Sequence, residues 1–138
     1  MSKVSMATEI QVPADQLWSL IGGFNALPDW HPAVQKSELT EDNGKVRRLT
    51  LVGGGEIIEK LISVDDKERV YSYEILNSPL PVMNYKATIK VRENEDGSAS
   101  VVEWSSDFTA PSGEAEAVKT IQGIYTAGFD NLKKIFGG

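Results

Sequence analysis

Residues Glu114–Phe136 read EAEAVKTIQGIYTAGFDNLKKIF, and this stretch decides the architecture. Val118, Ile121, Tyr125, Gly128, Leu132 and Ile135 recur at spacings of three and four, with Ile124, Phe129 and Phe136 widening the stripe. That period predicts one long amphipathic helix. Such a helix needs an apolar surface to lie on, and the residues before it supply one. Val34–Thr40, Val46–Val52, Ile57–Val64, Val70–Leu76, Met83–Val91 and Val101–Phe108 are strand-like runs. They are joined by Asp42-Asn43-Gly44, Gly53-Gly54-Gly55, Asp65-Asp66-Lys67-Glu68, Asn77-Ser78-Pro79-Leu80-Pro81 and Asp96-Gly97-Ser98. These links are turns, too short for crossover units, so the strands should be antiparallel.

Further upstream, Val4, Met6, Thr8, Ile10 and Val12 alternate with polar or small residues, the period of a half-buried strand. Pro13 suits a first helical position, Leu17, Leu20 and Ile21 share one helical face, and Gly22-Gly23 stops the turn. Phe24–Pro32, with two prolines, Asn25 and Trp30, is expected to form a second short helix or an ordered loop. The expectation is an α+β domain over residues 1–138: a curved seven-stranded antiparallel sheet, two short helices and a long C-terminal helix. A strongly curved sheet has a concave face that one helix can cover but one layer of side chains need not fill, which makes a cavity plausible.

Composition narrows the chemistry. With 138 residues, 41% of them hydrophobic, the chain can build one core without a staple. Cys 0 and His 1 remove thiol nucleophiles, redox pairs, zinc fingers, iron–sulfur clusters and any site needing two imidazoles. No metal and no cofactor are expected. A net charge of −6 repels nucleic acid and anionic membrane, and no basic face offsets it. No apolar run reaches membrane length and Met1–Met6 lacks the core of a secretory signal, so the expected setting is cytoplasmic, as monomer or homodimer.

Several segments resemble a known family: Val12-Pro13-Ala14-Asp15-Gln16-Leu17-Trp18, Leu27-Pro28-Asp29-Trp30-His31-Pro32, Glu59-Lys60-Leu61, Tyr71-Ser72-Tyr73, Leu80-Pro81, and Tyr125 through Leu132. They are similar to the bacterial polyketide cyclase/dehydrase-like branch of the SRPBCC superfamily. The resemblance implies the helix-grip fold of START lipid-transfer domains, the birch-pollen allergen and the plant abscisic acid receptors. It covers nearly the whole chain and is specific for fold more than for function. Against those receptors, the ligand-carboxylate lysine falls at His31 and a pocket Glu falls at Glu59. Tyr73, Ile75, Val82, Tyr85, Trp104, Ile124 and Gly128 match other cavity positions, and Trp30, Leu61, Leu80 and Tyr125 complete the expected ligand-binding set. The receptors' gate loop is replaced by Gly53-Gly54-Gly55 and their latch by Leu80-Pro81-Val82. The resemblance therefore implies a related cavity without the hormone-receptor gate.

Glu59 is the sharpest candidate for chemistry, because it shares a strand face with Ile57, Leu61 and Ser63. Apolar neighbours raise a carboxyl pKa and can poise it as general acid or base; the alternative is a solvated or ion-paired Glu. His31 is the only side chain whose ordinary pKa allows proton transfer near neutrality, or else it caps a loop. Tyr71, Tyr73, Tyr85 and Tyr125 are either orienting hydroxyls or core packing. Trp18 suits a helix-to-sheet anchor and Trp30 a lid or loop anchor. Gly128, in mid-helix, requires close approach of something, either ligand or sheet. Glu41-Asp42, Asp65-Asp66 and Glu93-Asn94-Glu95-Asp96 fall at turns and read as solvated hairpin ends.

Three functions fit these residues. The first is a carrier or sensor that encloses a small hydrophobic molecule, aromatic, polyketide-like or isoprenoid. The second is a cofactor-independent cyclase or dehydratase in which Glu59 or His31 moves a proton and a tyrosine steadies the enolate. The third is a domain whose cavity is packed shut and which acts through its surface.

Overall fold

A computed structural model describes residues 1–40 and 44–137. The elements are β1 (Ser2–Ile10), α1 (Ala14–Ile21), a 3-10 turn (Leu27–Asp29), β2 (Val34–Leu39), β3 (Val46–Leu51), β4 (Glu56–Asp65), β5 (Val70–Asn77), β6 (Met83–Glu93), β7 (Ser100–Thr109) and α2 (Glu114–Ile135). The strands form one antiparallel sheet of seven in the order β1-β7-β6-β5-β4-β3-β2. This is the helix-grip arrangement, with α2 on the concave face. Asp42 and Asn43 of the expected first hairpin turn, and Glu41 beside them, lie outside the described residues.

Curvature comes from breaks in register. β1 and β7 pair without interruption from Ser2 opposite Phe108 to Ile10 opposite Ser100. Elsewhere the register shifts between Val34 and Lys36, Ile58 and Glu59, Leu61 and Ser63, and Met83 and Lys86. Each extra residue bends its strand and increases the local twist, curling the sheet around the helix. By simple alternation Met83 would share the face of Tyr85, Ala87, Ile89 and Val91, yet it is exposed; Asn84 adopts a left-handed φ of 54°, and the strand regains its inward phase only at Tyr85.

Helix α2 buries Ala117, Ile121, Tyr125, Gly128, Phe129 and Leu132, the expected stripe except at its end, where Ile135 reaches solvent. Glu114 and Glu116 open the helix and Lys133 and Lys134 close it, each complementing the helix dipole. In α1, Leu17 and Ile21 are fully buried, and Pro13 caps the helix instead of occupying its first turn. Phe24–Pro32, expected as a second short helix or an ordered loop, holds a single 3-10 turn, since Pro28 and Pro32 leave too few free N–H groups for more. Trp18 anchors α1 to the sheet: its indole N–H donates to Asp66 at 3.0 Å and its ring packs on Tyr71. Among the described residues no helix is long and apolar enough to cross a membrane.

Candidate functional site

Between the bent strands β3–β5 and α2 lies a cavity of about 210 Å³. Leu27, Leu49, Ile57, Ile75, Ile121 and Ile124 give it apolar walls, Tyr73, Tyr85 and Trp104 give it aromatic ones, and Glu59 and His31 are its ionisable members. Its mouth is formed where lining residues also reach solvent, at Ala33, Val52 and Gly54, with Leu80 contributed by the β5–β6 loop. Gly53, Gly54 and Gly55 turn there with φ of 90°, 103° and 102°, a conformation that side-chain-bearing residues rarely take. A wider depression near Met1, Leu76 and Met83 is an open, mostly polar groove that contains neither Glu59 nor His31. It is the more polar of the two, so the smaller, mostly apolar cavity is the candidate site.

Glu59 does not face the cavity alone. Arg47, directly opposite it on β3, donates from Nε at 2.8 Å and from a terminal nitrogen at 2.6 Å, both to Glu59 Oε1. The other guanidinium nitrogen donates to the Phe24 carbonyl at 2.6 Å. The cation is boxed by aromatic faces, 4.3 Å from the Phe24 ring centre, 5.1 Å from that of Tyr73 and 5.9 Å from that of Tyr71. Both partners are buried, at 1% and 4% exposure. Burial pushes the Glu59 carboxyl above its ordinary pKa, by more than the guanidinium against it pulls it down. Burial opposes the Arg47 charge most, but Glu59 together with Tyr71 and Tyr73 outweighs it and the guanidinium stays protonated. Two short contacts from a permanently charged guanidinium favour the ionised form of Glu59.

Sequence reasoning missed Arg47. The signal was present: Arg47 shares its strand phase with Leu49 and Leu51, and Arg47 and Glu59 each stand six residues from Gly53. A hairpin centred on that glycine sets them face to face on the buried side.

His31 is buried against α2 with both nitrogens committed. Nε2 donates to the Ile124 carbonyl at 2.8 Å and Nδ1 accepts the Ala33 amide N–H at 3.2 Å, which fixes the neutral Nε2–H tautomer. Burial lowers its pKa, against a smaller opposing effect of the Ile124 carbonyl. The imidazole therefore offers the cavity its carbon edge and ring face. Beside it, Asn131 donates to the Trp30 carbonyl at 2.9 Å. Gly128 explains how these side chains come so near the helix: a Cβ there would lie 2.9 Å from Trp30, 3.0 Å from His31 and 3.2 Å from Trp104. The glycine makes room for packed rings, not for ligand.

The tyrosines divide between wall and support. Tyr73 accepts the Trp104 indole N–H at 3.1 Å, and the Tyr85 hydroxyl is hydrogen-bonded to that of Tyr125. Tyr125 stacks on Trp104 with ring centres 4.2 Å apart. Burial raises the pKa of all four tyrosines, so each stays a neutral phenol. Of the residues singled out from sequence, the structure brings His31, Glu59, Tyr73, Ile75, Leu80, Tyr85, Trp104 and Ile124 to the cavity. Trp30, Leu61, Tyr125 and Gly128 stand outside its wall, and Val82 faces the open groove. Among the described residues no three His, Asp or Glu side chains gather as a metal site would require.

These features agree with what the chain is similar to. The family described as polyketide cyclase/dehydrase and lipid transport matches residues 1–137. The protein XoxI from Bacillus cereus superposes with a TM-score of 0.95 at 44% identity, covering 99% of this chain and 96% of that one. A START superfamily protein from Mycobacterium smegmatis shares the fold, with a TM-score of 0.79 at 13% identity over 98% of this chain and 97% of that one. The abscisic acid receptor PYL2 of Arabidopsis thaliana is 31% identical over 117 residues, 78% of this chain. This chain spans 62% of that receptor's length. A match over residues 1–137, a seven-stranded helix-grip sheet and a cavity beneath its long helix together make this chain an SRPBCC protein of the polyketide cyclase/dehydrase and lipid transport family.

Proposed function

We propose that this protein binds a small, mostly apolar molecule in the cavity, as a carrier or sensor. The observation that carries this reading is a 210 Å³ void walled by aliphatic and aromatic side chains beneath the long helix. An apolar cavity of roughly 150 Å³ takes a benzene ring, so this one suits a one- or two-ring compound. Burying ~200 Å² of such a ligand contributes about 5 kcal/mol before the costs of association. The similarity to a plant hormone receptor favours a sensing or carrying role.

A second reading, a cofactor-independent cyclase or dehydratase, draws support from the family description and from the buried Glu59 carboxyl on the cavity wall. It ranks lower because the Arg47 guanidinium stabilises the Glu59 carboxylate and so weakens it as a base, and because His31 would have to release a backbone partner before it moved a proton. The test is native mass spectrometry of the purified protein for a co-purifying small molecule, followed by a thermal-shift screen of aromatic, polyketide-like and isoprenoid compounds. Binding predicts a retained mass or a melting temperature raised by several degrees at saturating ligand. The absence of both a retained mass and any shift across the screen contradicts it.

A further inference from the structure

We infer that the cavity selects neutral ring compounds bearing a hydroxyl, phenols or alcohols, and excludes carboxylates. This deepens the binding reading above and rests on it. The asymmetry of the Arg47–Glu59 pair carries the argument. Both guanidinium contacts converge on Oε1, and no described residue donates to Oε2. Glu59 is nevertheless 96% buried by its 4% exposure and lies on the cavity wall. A carboxylate oxygen left without a donor in an apolar site is costly, and a ligand that donates to it recovers the loss.

The remaining polar groups decide which donor fits. His31 has spent both nitrogens on the backbone. Arg47 stands behind Glu59 and is absent from the wall, and no Lys or Arg among the described residues lines the cavity. A carboxylate entering here meets another carboxylate with no exposed cation to balance it, which disfavours it strongly in a low-dielectric site. An ammonium group would be drawn to Oε2 but would also feel the Arg47 charge immediately behind, so the net-neutral pair favours a neutral donor. Tyr73 accepts from Trp104 and keeps its own O–H to give. A ligand hydroxyl matches both partners: it donates to Glu59 Oε2 and can accept from Tyr73.

The experiment compares three size-matched probes at pH 7, 2-naphthol, naphthalene and 2-naphthoate, by protein NMR titration read at the Trp104 indole N–H. The expected order is 2-naphthol about tenfold tighter than naphthalene, the scale of one hydrogen bond to a charged group, with 2-naphthoate the weakest. The paired variant Arg47→Met with Glu59→Leu removes the acceptor without stranding a charge, and should bring 2-naphthol to within about twofold of naphthalene. Should that variant not fold, the wild-type order decides alone. If naphthalene binds but 2-naphthol has no advantage, or 2-naphthoate equals it, the inference fails while the binding reading stands. If none of the three binds, the binding reading falls and this inference with it.

Discussion

The two halves of the sheet solve different problems. On one side β1, β6 and β7 pack against α1 and the later turns of α2, and Ile10, Leu17, Ile89, Phe108 and Leu132 are each fully buried. The β1–β7 ladder there runs without a register break. On the other side β2 to β5 carry three of the four register shifts, and the surface they curve around holds a void with a buried ion pair beside it. The void lies on the side of the sheet where most register shifts curl the strands around the helix, although the β3–β4 ladder that carries Leu49 and Ile57 is itself regular.

That contrast can be broken most severely at the ion pair. Glu59→Leu alone leaves Arg47 charged and unpaired in the interior and should cost about 3–5 kcal/mol in denaturant unfolding. Adding Arg47→Met should recover most of it; a single-variant cost below about 1 kcal/mol would mean the pair is not what closes this wall. The next comparison sets truncations in the two halves side by side. Ile89→Ala removes a fully buried chain from the solid half and should cost about 3 kcal/mol, while Ile57→Ala, which already borders empty space, should cost about half as much. Equal costs would erase the distinction.

Smaller effects sharpen the junction between the halves. Gly128→Ala gains about 1 kcal/mol of helix propensity but forces Trp30, His31 and Trp104 apart, an overpacking cost of about 1–3 kcal/mol, so a net loss of about 1 kcal/mol is expected. A stabilised variant would show that the rings yield freely. His31 gives the mildest signature. Its folded pKa lies below the unfolded value of 6.5, so the unfolded chain binds the extra proton first. Its contribution is complete above about pH 6.5 and declines as pH falls toward the folded pKa, with a slope no steeper than ~1.4 kcal/mol per pH unit. In His31→Gln, stability against pH should lose that component of slope between pH 6.5 and 5; an unchanged profile would remove His31 as its source.

Much of this was legible from residue order. Seven strands and the long helix follow from periods of two and three-to-four, which every residue in an element reinforces. Local chemistry misled where one residue changes phase, as at Asn84, which sends Met83 outward. At the site, Glu59 stood out because it occupies an apolar phase, but its partner did not, because an arginine in a strand reads as surface unless the hairpin is folded about Gly53 first. His31 was visible as the sole imidazole, whereas its role depends on the Ile124 carbonyl far along the chain, which no spacing rule reports. Gly128 signalled a close approach, and only the packing shows that aromatic rings make it.

The most direct test of the hollow half is a naphthalene titration followed through isoleucine methyl groups by NMR. Ile57, Ile75, Ile121 and Ile124 line the cavity, Ile10 and Ile89 sit in the solid core, and Ile62 and Ile135 face solvent. Saturable shifts are expected at the first four alone, with Ile10, Ile89, Ile62 and Ile135 unmoved. Shifts that are absent at the cavity methyls, or that appear chiefly at Ile62 and Ile135, would contradict an internal binding site.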